Sequence, residues 1–207
     1  IDELVGKVAA TVDALRAKGE DILLMVGSDH GHETVGNGIN VTAWLDENGY
    51  SALREAGQLG FATQGTATLL YAIGEAERVV QSVLGKLKGE PWVGGIATGA
   101  ELEQLGIAPE GGLVAGISLA RKPDPNDFGV AGQRWAAFNG SEFKGLGFGQ
   151  HGGWGPDETR PFLIVDHPAG KPARRTERTS LIDIAPTILT FLGLPVDGME
   201  GKPIAWG

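Results

Sequence analysis

Two short stretches of this chain carry residues whose types and spacing could do chemistry. The first is Ile22-Leu23-Leu24-Met25-Val26-Gly27-Ser28-Asp29-His30-Gly31-His32, an apolar run that stops at a carboxylate and an imidazole. A run of this length behind a helical segment predicts a buried parallel strand. In open α/β sheets, ligands sit beyond the carboxyl ends of such strands. Adjacent Asp29 and His30 at a strand end can both ligate one divalent cation. Oxygen plus imidazole suits zinc, manganese or iron better than calcium. The second stretch is Gly149-Gln150-His151-Gly152-Gly153-Trp154-Gly155. Glycines let the backbone come close to a ligand, so His151 is a candidate third ligand. The bland alternatives are a turn cap beside a hydrogen-bonded His at 29–30, and a loop His packed on Trp154.

These residues must be placed by regular elements. Leu4, Val5, Val8, Val12 and Leu15 make one helical face over 2–18, with Asp2 as N-cap and Gly19 as stop. The strand at 22–26 follows, and this helix–strand unit predicts a parallel sheet. Gly36-Asn37-Gly38 reads as a loop, and 42–48 as a short helix ending at Gly49. Residues 66–72, 92–97 and 113–120 read as strands, separated by helices over 75–88 and 100–105. Residues 121–150 read as loop. Phe162 to Val165 reads as a buried strand, followed by a helix from Ser180 that Pro186 should kink or split.

Composition narrows the class. The 207 residues suffice for one sizeable core, and 42% hydrophobic with 21% charged residues is ordinary for a globular domain. The net charge of −9 argues against nucleic acid as a partner. It leaves small phosphorylated substrates open, because a bound cation reverses the local field. With no cysteine there is no disulfide and no thiolate metal site. No apolar run is long enough for a membrane span. No P-loop and no Gly-x-Ser-x-Gly elbow occurs.

Taken together, Ser28-Asp29-His30-Gly31 after an apolar strand, and Gly149-Gln150-His151-Gly152 ahead of another, resemble the alkaline phosphatase superfamily. The branch most resembled is that of type I phosphodiesterases and nucleotide pyrophosphatases. Asn40-Val41-Thr42-Ala43-Trp44-Leu45, Asp183-Ile184-Ala185-Pro186-Thr187, Leu192-Gly193-Leu194-Pro195 and Gly201-Lys202-Pro203-Ile204 add to it. The resemblance implies an α/β fold with a mostly parallel sheet flanked by helices. Residues 1–207 would form the C-terminal portion of one such domain, with a small inserted lobe over 50–120 and the N-terminal part of the fold absent.

The resemblance further implies metal-dependent hydrolysis of phosphate esters, with phosphodiesters or nucleotide pyrophosphates as substrates. Two divalent ions, zinc by preference and manganese or iron otherwise, would serve the site. Asp29 and His30 would belong to the ion that binds the nucleophile, and His151 to the other. The Thr or Ser nucleophile cannot be matched here, so no catalytic residue is assigned. The 207 residues are expected to be a fragment or processed product. Alone they are expected to be inactive and to need the missing N-terminal half as partner. Oligomeric state is open. Export to the periplasm or exterior is common among such proteins. A sulfatase or phosphonate hydrolase on the same scaffold, or a non-catalytic metal-binding or interaction domain, are the competing readings.

Three further residues are candidates for a substrate pocket: His32, Trp154 and Arg160. His32 matches no required ligand of the family and is expected in a solvated or supporting role. Trp154 could wall a cleft. Arg160 could face a phosphate, although pairing with Asp157 or Glu158 is the simpler expectation. His167 is expected on a surface loop, and Asp183 in a structural role near Pro186.

Overall fold

A computed structural model describes residues 1–206. The chain opens with helix α1 (Asp2–Arg16), strands β1 (Leu24–Gly27) and β2 (Glu33–Asn40), and helices α2 (Val41–Glu47) and α3 (Ser51–Glu55). Strands β3 (Leu59–Gln64) and β4 (Ala67–Ala72) follow, then a 3-10 turn (Gly74–Val79) leading into α4 (Val80–Leu87). Next come β5 (Val93–Ala97), α5 (Ala100–Gln104), β6 (Leu113–Leu119), β7 (Arg121–Pro125), β8 (Ala131–Phe138) and β9 (Gly149–Gln150). Strand β10 (Leu163–Asp166), a 3-10 turn (Leu181–Asp183) and α6 (Ile184–Phe191) close it. Among the described residues, no helix is long and apolar enough to cross a membrane. They fall into two compact units: Ile1–Asp29 with the residues from Pro161 on, and His30–Arg160.

In the first unit β1 pairs antiparallel with β10, from Leu24 opposite Asp166 to Gly27 opposite Leu163. The expected buried parallel strand at 22–26 is therefore a half-buried antiparallel one. The expected buried strand at 162–165 is likewise two-faced. Side chains alternate across a strand, so Leu163 and Val165 are partly covered while Ile164 stands exposed. Arg16, at the end of α1, ties the helix down by donating to the Ile22 carbonyl at 2.8 Å and to the Asp166 carboxylate at 2.7 Å. His167 is no loose surface residue. Its ring meets Asp21 at 2.8 Å and the edge of Phe191, and its side chain is only 13% exposed.

Pro186 falls in the first turn of its helix rather than inside it. It is the third residue of α6, where backbone N–H groups have no intrahelical partner to lose. Asp183 anchors the turn before it, accepting from Ser180 N at 2.7 Å and Lys202 N at 2.8 Å. Those two donors hold its carboxyl below the usual range. Large apolar side chains, among them Leu4, Val8, Ile188 and Leu192, are exposed on this unit.

The second unit holds two sheets. One runs in the order β3-β4-β6-β5 and is antiparallel throughout. The other runs β7-β8-β2-β9, with β2 and β8 parallel and its other pairs antiparallel. The expectation of a mostly parallel sheet is thus corrected: among the described strands, β2/β8 is the parallel pair. The local reason is visible. Gly65-Thr66 joins β3 to β4, and a two-residue link allows antiparallel pairing alone. Strands β4 and β5, joined through α4, do run in the same direction. However, β6 slots between them, antiparallel to both.

The glycine-rich stretches also hid regular structure. Residues 121–150, expected as loop, contain β7, β8 and β9. Gly36-Asn37-Gly38, also expected as loop, lies inside β2 at a register shift between Val35 and Asn37. The residues 50–120 all fall within this unit, which extends further at both ends.

The core of the second unit gathers Leu45, Leu59, Leu70, Val83, Leu87, Ile117 and Leu119 between helices and the antiparallel sheet. Trp44 and Trp92 are buried in it edge to face, 6.0 Å between centroids. Each indole N–H donates to one oxygen of Glu90, at 2.8 and 3.1 Å. That satisfies the polar tips a buried indole must otherwise leave unpaired.

Candidate metal centre

Three imidazoles from two loops of the second unit converge. His30 and His32 precede β2, and His151 follows β9. One nitrogen of each lies within 4.8 Å of the others. The His30 and His151 rings stack with centroids 3.7 Å apart, and His32 meets both edge-on at 5.0 and 5.2 Å. Nδ1 of His30 is 2.9 Å from the Gly31 carbonyl. A carbonyl can only accept, so Nδ1 is the donor in this contact.

The set fits a divalent cation. Zn–N bonds of about 2.0–2.1 Å in a tetrahedron put nitrogens about 3.3 Å apart. Donors already within 4.8 Å need only small side-chain rotations to reach that spacing. Three imidazoles, those of His32 and His151 exposed and that of His30 partly buried, are also a donor set that zinc favours.

The two loops are held by a buried charged network that was not foreseen from the sequence. Glu158 is its hub. One of its carboxylate oxygens accepts from Thr66 Oγ1; the other accepts from Gly155 N at 3.0 Å and Arg134 Nη2 at 3.1 Å. Its main-chain carbonyl accepts from Gly31 N at 2.8 Å. Thr66 Oγ1 in turn accepts from Gly153 N at 2.9 Å. One residue therefore ties down both the loop carrying His30 and the loop carrying His151. Arg134 donates to Ser118 Oγ at 2.8 Å and lies 2.9 Å from Glu33 Oε2, out of line for a hydrogen bond and so as an ionic contact. Arg121 caps the cluster, reaching Glu33 at 2.8 Å and Asp157 at 2.6 Å.

Burial pushes the Glu33 carboxyl above its ordinary range, against the pull of Arg134 and Arg121 and with the neighbouring charge of Glu158 adding to the rise. Two glycines make the arrangement sterically possible. A Cβ on Gly31 would overlap the Asp157 carbonyl, and one on Gly152, at φ +118°, would overlap the Gln64 carbonyl.

The other expected site residues are placed as follows. Asp29 ends the first unit and is exposed; it precedes His30 in the chain. Trp154 is half-buried on Ala97, Leu102 and Leu113. Arg160 is exposed, and its expected partners are engaged elsewhere, Asp157 with Arg121 and Glu158 with Arg134. Arg134 could have been suspected from its sequence. It shares with Gly132 and Ala136 the buried face of β8, and a charge at an inward register position demands a partner. Nothing in the sequence marked Ser118 or Thr66.

No protein-family model and no curated protein matches this sequence. Among solved structures, the chain is similar to the crystal structure of wild-type alkaline phosphatase PafA. The TM-score is 0.52 at 17% identity, over 88% of this chain and 37% of that one. The likeness shows an alkaline-phosphatase-like fold, and the chain spans about 37% of that protein's length.

Proposed function

We propose that these residues belong to a metal-dependent hydrolase of phosphate esters, with phosphodiesters or nucleotide pyrophosphates as substrates. The observation that carries this reading is the convergence of His30, His32 and His151 on a fold shared with an alkaline phosphatase. His30, His32 and His151 would hold the metal; Asp29, next to His30 in the chain, is the oxygen ligand that the resemblance implies. A divalent ion so held supplies Lewis acidity toward a phosphoryl oxygen and lowers the pKa of bound water or alcohol. Zinc fits the imidazoles best; the count of two ions, one with Asp29 and His30 and one with His151, comes from the resemblance. Three imidazoles that share one small volume would by themselves suit a single ion.

The competing reading is a metal-binding module without catalysis. It draws support from the lack of any assignable nucleophile among these residues. Elemental analysis of the purified chain separates the possibilities, followed by assays of nitrophenyl phosphate mono- and diesters on the longest available form of the protein. Bound zinc that is lost in His30→Ala and His151→Ala, with zinc-dependent diester hydrolysis, is the expected result. Zinc without hydrolysis would leave the module. Absence of bound zinc in every form would overturn the metal centre itself.

A further inference from the structure

A cavity of about 410 Å³ opens beside His151. Its lining includes Leu69, Ile107, Ile117 and Trp154, with Gln64 and Gln150. Leu69, Ile107 and Trp154 are packed on the Ala97–Leu102–Leu113 cluster, so the apolar wall has a firm backing. The indole of Trp154 lies close over two glycines of the antiparallel sheet: a Cβ at Gly95 would be 3.5 Å away and one at Gly116 3.8 Å. The opposite wall is fixed too, because the turn at Gly65-Thr66 is bonded to the His151 loop through Thr66 N and the His151 carbonyl, 3.1 Å apart. Among the described residues that line this cavity, His151 alone is of an ionisable type.

His151 belongs both to the imidazole cluster and to the cavity wall. A phosphate held at the cluster would therefore have one of its ester groups next to this cavity. A second phosphate placed there would lose hydration and meet no Lys or Arg, which is strongly unfavourable. An uncharged ring would meet the opposite situation, with apolar walls along its faces and two carboxamides able to donate to or accept from ring substituents. The volume lies near the lower end of those that hold small molecules, enough for one ring system.

We infer that the cavity beside His151 receives the uncharged, ring-bearing ester group of a phosphodiester. This rests on the metal-centre reading for the phosphate, but not for the ring. It selects, within the proposed activity, diesters with an aromatic or heterocyclic alcohol over substrates whose second group is itself a phosphate.

Two measurements on the full chain test it separately. In the first, the metal-free protein is titrated with benzyl alcohol while the methyl NMR signals of Leu69, Ile107 and Ile117 are followed. Saturable shifts confined to these methyls, lost in Ile107→Arg, are expected. Absence of such shifts in a folded protein would overturn the inference whatever the metal does. In the second, the zinc-loaded chain is titrated with diphenyl phosphate, dimethyl phosphate and a diester with one 4-carboxyphenyl group. Diphenyl phosphate should bind about ten-fold or more tightly than dimethyl phosphate, a difference of about 1.4 kcal/mol. The carboxylate should abolish that advantage, and Ile107→Arg should restore binding of the carboxylated ester. Equal zinc-dependent binding of diphenyl and dimethyl phosphate would sink the inference and leave the metal centre standing. Ring binding without any zinc uptake would do the reverse. Should Ile107→Arg not fold, Ile107→Trp, which fills the same space, must still remove the ring's advantage.

Discussion

Replacing Arg134 by Met should destabilise the protein in a way that depends on pH. Arg134 is the buried cation between two buried carboxylates, Glu33 and Glu158, whose side chains are 2% and 1% exposed. Met preserves most of the side-chain volume and removes the charge. The carboxylates are then left with Arg121, which is one-third exposed and contacts Glu33 alone of the two. Breaking a buried pair by removing one partner costs about 3–5 kcal/mol. There is an escape: one carboxylate can take up a proton. From an unfolded-state value of about 4.3, that costs about 3.7 kcal/mol at pH 7 and about 1 kcal/mol at pH 5. The loss in Arg134→Met should therefore be about 3–4 kcal/mol at pH 7 and fall to about 1–2 kcal/mol at pH 5. Urea denaturation of variant and wild type at both pH values measures it. Comparing them at each pH cancels the titration of the histidines. A deficit below about 1 kcal/mol at pH 7, or one of equal size at pH 5, would refute the view that Arg134 neutralises two buried charges.

Other consequences can be checked with the same protein. Glu158→Gln keeps the shape of the hub but weakens its hold on the two loops. Zinc affinity should fall about 10- to 100-fold by competition with a chromophoric chelator, in the range seen for groups that orient ligands. Gly152→Ala forces a Cβ into the Gln64 carbonyl at a positive φ. It should cost about 1–3 kcal/mol and weaken zinc binding by displacing His151, whereas Gly6→Ala, in open space on α1, should do neither. Leu70→Ala, at a fully buried position, should lower the denaturation free energy by about 2–5 kcal/mol without changing ligand preference. Asp183 has a lowered pKa in the folded state, so its stabilisation is complete above the unfolded value of 3.8 and fades as pH falls through the lower folded value. The gap in stability between wild type and Asp183→Ala should therefore close on acidification below that point; a gap that widens there would contradict the assigned hydrogen bonds.

The sequence by itself determined the local features that short-range chemistry controls. Apolar periodicity located α1 and α4, and the β-forming residues of 66–72 located β4, because spacing and propensity act along the chain. Glycine-flanked histidines at 30 and 151 were legible as candidates, because few residue types ligate metals and few contexts expose them. The tertiary structure decided what depends on residues far apart in sequence. Strand β6 fell between β4 and β5 and made a sheet antiparallel that the strand–helix–strand pattern had suggested was parallel. His32, expected in a solvated or supporting role or in a substrate pocket, stands beside His30 and His151. Glu158, one of the two carboxylates expected to pair with Arg160, found Arg134, 24 residues away, because a buried carboxylate needs a partner that is buried with it. Which charges share the interior is set by how the strands register, and that is a property of the folded chain rather than of any segment read alone.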